Sequence, residues 1–145
     1  MNPFLHETIV EFCHTDAAGI AHFSSLMQYV EQAEHALLRS LGLSVFSQAP
    51  GSHTWPRVKV SAEFLGPAFF EDTLKIELRV KKLGVTSVTY VASICGPSGK
   101  VADCETVCVC CTHSANSSGN AVRLSGLEKT PIPLDIREKL SQFLA

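Results

Sequence analysis

Ser24-Ser25-Leu26-Met27-Gln28-Tyr29-Val30-Glu31-Gln32-Ala33-Glu34-His35-Ala36-Leu37-Leu38-Arg39-Ser40-Leu41 is the stretch on which the fold turns. Leu26, Val30, Ala33, Leu37 and Leu41 recur at three- or four-residue steps, the spacing of one helical face. Met27, Tyr29 and Leu38 widen that stripe, so the helix is expected to be surrounded by protein. Ser24 or Ser25 is placed to cap its start. Gly42 fits the position just past its end, where a left-handed residue closes a helix.

Outward from this helix the period changes from 3.6 to 2. Phe4 to Phe12 alternates in part and reads as a first strand. Arg57 to Phe64 puts Val58, Val60, Ala62 and Phe64 on one face, and Lys59, Ser61 and Glu63 on the other. Thr73 to Leu83 opposes Leu74, Ile76, Leu78 and Val80 to Lys75, Glu77, Arg79 and Lys81. Ser87 to Ile94 and Val101 to Thr112 are two further strands, separated by Gly96-Pro97-Ser98-Gly99. Leu43 to Trp55, with Pro50 and Gly51, reads as a loop, as does Asn116 to Gly119. Leu134 to Leu144, behind Pro131 and Pro133, reads as a short helix. Strand, long helix, four strands and a small helix make an α+β pattern. One antiparallel sheet wrapped around one long helix buries both, in a single domain spanning residues 1–145.

Composition narrows the functions such a domain can have. Of 145 residues, 46% are apolar, enough for one core, and twelve basic against fourteen acidic side chains leave a net charge of −2. That balance argues against a nucleic-acid surface, which needs clustered Lys and Arg. No apolar run approaches the ~20 residues needed to span a bilayer. Met1 to Glu11 shows no basic segment followed by an apolar block, so no secretory signal is expected and the location expected is cytoplasmic. The six cysteines are then read as free thiols of a reducing compartment. Cys108, Cys110, Cys111 and His113 invite a metal reading. Within one strand Cys108 and Cys110 share one face while Cys111 and His113 share the other, so they cannot converge on a tetrahedral zinc. Buried small residues are the better account, and no metal is expected.

The chemistry is expected in Phe12-Cys13-His14-Thr15-Asp16-Ala17-Ala18-Gly19-Ile20-Ala21-His22-Phe23. Small residues there let the backbone turn tightly and a ligand come close. The first turn of the following helix offers unpaired N–H groups and a positive dipole end. Asp16 supplies either a base or nucleophile beside that electrophilic pocket, or only an Asx turn; the residues alone leave both open. His14 and His22 read first as hydrogen-bonding loop histidines. No nucleophile elbow and no Gly-rich phosphate loop is present.

Thr15-Asp16-Ala17-Ala18-Gly19-Ile20-Ala21-His22-Phe23, followed by Tyr29, Glu31 and Ala33, resembles the signature of the 4-hydroxybenzoyl-CoA thioesterase family, hotdog-fold acyl-CoA thioesterases. The strand order, Lys81-Lys82-Leu83-Gly84, and Pro131-Ile132-Pro133 before Arg137-Glu138-Lys139-Leu140 extend the likeness along the chain. The resemblance implies a five-stranded antiparallel sheet around the central helix. It implies hydrolysis of an acyl-CoA to free acid and CoA, with Asp16 as nucleophile or general base. Gly19 and His22 belong to the site, and the Phe23 backbone N–H would bind the thioester oxygen. Lys81, Lys82 and Arg79 would meet the phosphates of CoA, which is substrate rather than cofactor; no other cofactor is implied. A homodimer or homotetramer follows, with acyl carrier protein as an alternative thioester carrier. Leu26, Phe23 and Ser24 depart from residues common in the family, so no particular acyl group is implied. The alternatives are an acyl-thioester hydratase or dehydratase on the same fold, using His22 with Asp16 or Glu31, and a non-catalytic acyl-CoA binding module.

Overall fold

The computed structural model describes residues 2–46, 52–112 and 126–145. Pro50, Gly51, His113 and the Asn116–Gly119 loop lie outside the described residues.

The long helix, α1, runs Phe23–Ser40 and buries Leu26, Tyr29, Val30, Ala33, Leu37 and Leu38. Its end is as expected. Gly42 has φ +74, and its N–H donates to the Arg39 carbonyl while the Leu43 N–H donates to the Leu38 carbonyl, the paired bonds of a left-handed helix stop. Its start corrects the serine assignment. His22 is the N-cap, its ring accepting from the Ser24 N–H. Ser25 instead donates its hydroxyl to the His14 carbonyl at 3.1 Å.

The strands β1 (Phe4–Ile9), β3 (Arg57–Phe64), β4 (Thr73–Leu83), β5 (Ser87–Gly96) and β6 (Gly99–Val109) form one antiparallel sheet in the order β1-β4-β5-β6-β3. β1 stops at Ile9 rather than Phe12, because Phe12–His14 is a 3₁₀ turn. Leu74, Ile76, Leu78 and Val80 are 0% exposed, so the alternation of β4 places the sheet's apolar face against α1. Burying an aliphatic side chain of this size contributes roughly 1.5–3 kcal/mol, which is why this face sets the register.

β3 has the predicted faces but not a buried one. Val60, Ala62 and Phe64 pair with Thr106, Cys104 and Ala102, yet Val58, Val60 and Phe64 remain exposed. β3 is the sheet's edge, and a bulge between Arg57 and Lys59 interrupts the pairing at Val58.

The single strand expected from Val101 to Thr112 is broken at Cys110. The Val109 N–H turns to the Pro56 carbonyl, and the Cys110 N–H to the Thr86 carbonyl. A second small sheet follows, with β7 (Cys111–Thr112) between β2 (His53–Thr54) and β8 (Glu128–Lys129). The break puts Cys108, Cys110 and Cys111 all inside, and all six cysteines are free. The last helix, α2, is Leu134–Ser141 and buries Ile136 and Leu140; Leu144 lies beyond it, bridged to Val80.

Candidate active site

The stretch before α1 is a tight hairpin. Thr15 bridges Ala21, the Asp16 N–H donates to the Ile20 carbonyl at 2.8 Å, and the His22 N–H donates to the His14 carbonyl at 2.8 Å. Gly19 sits at the tip with φ +79, a conformation that costs an L side chain energy although a Cβ would meet nothing within 4 Å. Ile20 bridges Phe69 and the Ala21 N–H donates to the Ala68 carbonyl, which ties the hairpin to the segment leading into β4.

Asp16 is half-buried at the base of this turn. Its Oδ1 accepts from the Ala18 N–H at 2.8 Å and more distantly from the Ile20 N–H at 3.4 Å. The Asx turn therefore forms, and it uses one oxygen. Among the described residues nothing donates to Oδ2.

Phe23 is the first residue of α1. The Ser25 and Leu26 N–H groups return to the His22 carbonyl, and the Ser24 N–H goes to the His22 ring. The Phe23 N–H donates to nothing among the described residues. It is the open donor at the positive end of the helix.

The two histidines are held by backbone donors, which fixes their tautomers. His22 Nδ1 accepts from the Ser24 N–H at 3.2 Å and lies 2.7 Å from the Ser24 hydroxyl, so that hydroxyl donates and the ring proton sits on Nε2. His14 Nδ1 accepts from the Glu11 N–H at 3.2 Å, so the Tyr29 hydroxyl at 2.7 Å donates to it as well. Burial, with Cys13 and Glu11 nearby, pushes the Tyr29 phenol up to about 12, keeping it a donor. His14 thus latches the hairpin onto α1, a role its sequence context did not reveal.

Around the hairpin, Phe12, Phe23, Phe64, Phe69 and Phe70 are each at least 46% exposed. Phe12 stacks edge-on against Phe70, and Phe23 against Phe64. Exposed aromatic pairs of this kind are a common feature of binding and interaction surfaces.

The expected cations are elsewhere. Lys81 and Lys82 stand near the far end of β4, roughly 30 Å along the strand from Thr73. Lys81 pairs with Glu105 at 2.6 Å, while Lys82 makes no ion pair among the described residues. Arg79 lies on the outer sheet face beside Glu63, Glu77, Asp103 and Glu105, at the margin of a shallow cavity of about 610 Å³. Glu31, considered as a partner for His22, is about 13 Å further along the helix and pairs instead with Arg57 at 3.2 Å. Sequence reading also missed Glu34. It is 3% exposed and held by Arg57 and the Thr106 hydroxyl; only its misfit on the apolar stripe could have signalled it.

Burial raises the thiols of Cys104 and Cys110 to about 11 and that of Cys108 to about 12, so none is poised as a nucleophile. Among the described residues no group of three His, Cys, Asp or Glu side chains could hold a metal. None of the described helices is long and apolar enough to cross a membrane.

The thioesterase superfamily profile matches residues 18–102, more than half of the chain. The chain belongs to the thioesterase superfamily. This is a superfamily of thioester-hydrolysing enzymes, and its profile takes in Gly19, His22, Phe23, the whole of α1 and most of the sheet; it begins two residues after Asp16. A 1,4-dihydroxy-2-naphthoyl-CoA hydrolase from Nostoc punctiforme is 34% identical over 95 residues, covering 63% of this chain and 64% of that protein. The same-named enzyme of Synechococcus elongatus is 30% identical over 86 residues, covering 58% and 63%. The matched stretch thus spans slightly under two thirds of these relatives. In three dimensions the chain is similar to a 1,4-dihydroxy-2-naphthoyl-CoA thioesterase from Synechocystis, at TM-score 0.79 and 24% identity over 95% of both chains. The dynemicin thioesterase superposes at TM-score 0.83 over 99% of both chains with 16% identity. These likenesses show that a superfamily member with this architecture has the hotdog fold.

Proposed function

We propose that this chain hydrolyses an acyl-CoA to the free acid and CoA, using Asp16 and the amino end of α1. The observation that carries the reading is the unpaired Phe23 N–H on the first residue of the helix, entered through a hairpin that pins Asp16 by one oxygen only. A thioester oxygen bound at that N–H gains charge as the carbonyl carbon becomes tetrahedral, and a fixed donor favours this over the flat ground state. Asp16 Oδ2 then has two routes. It attacks the carbon, expelling CoA thiolate, and water cleaves the resulting anhydride. Or it takes a proton from water, whose oxygen attacks while the thiolate leaves. Both give one acid and one CoA.

The exposed phenylalanines and the uncovered face of β3 support completion by a second copy, as a dimer or a dimer of dimers. With Lys81 and Lys82 so far along β4 from the hairpin, any CoA phosphate they hold belongs most naturally to a partner's site. The hydrolase names of the relatives put a bicyclic hydroxylated aroyl-CoA at the head of the substrate panel, beside short and long linear acyl-CoAs and an acyl carrier protein ester.

The test is thiol release over that panel by wild type and Asp16→Asn. Release is expected for at least one ester, with a loss of about 10²-fold or more in the variant. Undiminished release in Asp16→Asn removes Asp16 from the mechanism. Tight binding of every ester without release makes the chain a binding module.

A further inference from the structure

A second cavity lies along α1, away from the hairpin. It has a volume of about 240 Å³ and is lined by Glu31, Glu34, Leu38, Val45, Trp55 and Tyr90, with His35, Arg57 and Cys108 completing it. Glu34 is eleven residues beyond Phe23, roughly 16 Å along the helix. The reaction proposed above uses none of these groups.

The polar groups here are arranged, not scattered. Arg57 binds Glu31 and Glu34 with its two terminal nitrogens, and Thr106 donates its hydroxyl to the other Glu34 oxygen. Arg57 Nε is the one buried side-chain polar atom without a partner among the described residues. Tyr90, 3% exposed, helps to wall the cavity, and its hydroxyl makes no hydrogen bond among the described residues while lying close enough to Glu34 and Arg57 to feel both charges. Burial raises the Tyr90 phenol far above its ordinary value, so this hydroxyl remains a donor.

Size and charge define what fits. The volume is below the range of drug-sized sites, which admits about one ring and excludes a CoA or a long acyl chain. Leu38, Val45, Trp55 and the Tyr90 ring give apolar walls. Two carboxylates against one guanidinium leave an excess of negative charge, which repels an anion. Arg57 and Thr106 hold the buried Glu34, and the remaining charge rests on Glu31, whose side chain is 51% exposed and screened by water, so no desolvated carboxylate is left over to hold a cation. A hydroxyl can accept from Tyr90 and donate to a Glu31 or Glu34 oxygen.

We infer that this cavity is a binding site for a small neutral ring compound bearing a hydroxyl, of the phenol class. It stands apart from the thioester site and is read by binding rather than by hydrolysis.

Trp55 is the chain's only tryptophan and lines the cavity, so its fluorescence reports occupancy. The full-length protein is titrated with phenol, benzene, benzoate and benzylammonium. Phenol is expected to give a saturable change, with the other three at least ~10-fold weaker. Tyr90→Phe, which deletes one oxygen and keeps the ring, is expected to weaken phenol about 10-fold. Val45→Phe, which fills the cavity from its rim, is expected to abolish the signal. No saturable change with phenol overturns the proposal. So does benzene, benzoate or benzylammonium binding as tightly, or undiminished phenol binding by Tyr90→Phe or Val45→Phe.

Discussion

The Asp16 carboxylate reaches two residues forward to the Ala18 N–H, 2.8 Å away, and so both shapes the hairpin and presents its second oxygen. Structure and chemistry can be separated at this residue because asparagine keeps the accepting Oδ1 and loses the charge. Asp16→Asn is expected to unfold within about 0.5 kcal/mol of wild type, while Asp16→Ala loses about 1 kcal/mol with the Asx turn. Both should lose thiol release. Denaturant midpoints measured beside initial rates decide it; an Asn variant as unstable as the Ala variant means the charge, not the turn, holds the loop.

Phe23 allows a test of a backbone group. Proline is well tolerated at the first position of a helix and lacks the N–H. His22, the preceding residue, already has φ −65 and ψ 144, the extended conformation proline requires before it. Phe23→Pro should keep its helical circular dichroism and lose roughly 10²–10³-fold in kcat, as for one oxyanion donor. Phe23→Ala keeps the N–H and serves as the packing control. Equal rates in the Pro and Ala variants would remove the oxyanion role.

Tyr29 provides a pH signature. Its folded pKa of about 12 lies above the unfolded value of about 10. A raised acid pKa means the protonated form is favoured in the fold, so this contribution is whole below about pH 10 and is lost as pH rises toward 12. Tyr29→Phe should cost about 1 kcal/mol at neutral pH for the lost bond to His14. That gap should close above about pH 10. Unfolding curves of the two proteins that stay parallel into strong alkali would contradict it.

The Glu34 contact with Arg57 crosses from α1 to the edge strand. Removing only the cation leaves a carboxylate that is 3% exposed without its counter-ion. Arg57→Met is expected to cost about 3 kcal/mol or more, and Glu34→Met with Arg57→Met to recover most of it. A double variant no more stable than Arg57→Met alone would show that the pair acts through packing, not charge.

The cysteines differ by burial. Cys13 and Cys95 are exposed, whereas Cys104, Cys108, Cys110 and Cys111 are buried. Native protein treated with a thiol alkylator should label the first two quickly and the other four only on unfolding. Mass spectrometry of the labelled peptides reads this directly.

The sequence by itself determined the long helix, its glycine stop, the five strands and the turn around Gly19. Each is written in a local period or a local backbone requirement, 3.6 for Leu26 to Leu37, 2 for Leu74 to Val80, and a positive φ at Gly19 and Gly42. Tertiary structure alone decided the rest. That His22 rather than a serine caps α1 depends on the hairpin that holds His22 to His14. That Val58, Val60 and Phe64 stay exposed depends on β3 being the edge of the sheet. That Val109 and Cys110 change partners depends on Pro56 and Thr86. Glu34 meets Arg57 and Thr106 across 23 and 72 residues of chain. Such pairings arise only when strands distant in sequence are brought to one helix, because burial energy depends on what surrounds a side chain and not on the residues beside it in the chain.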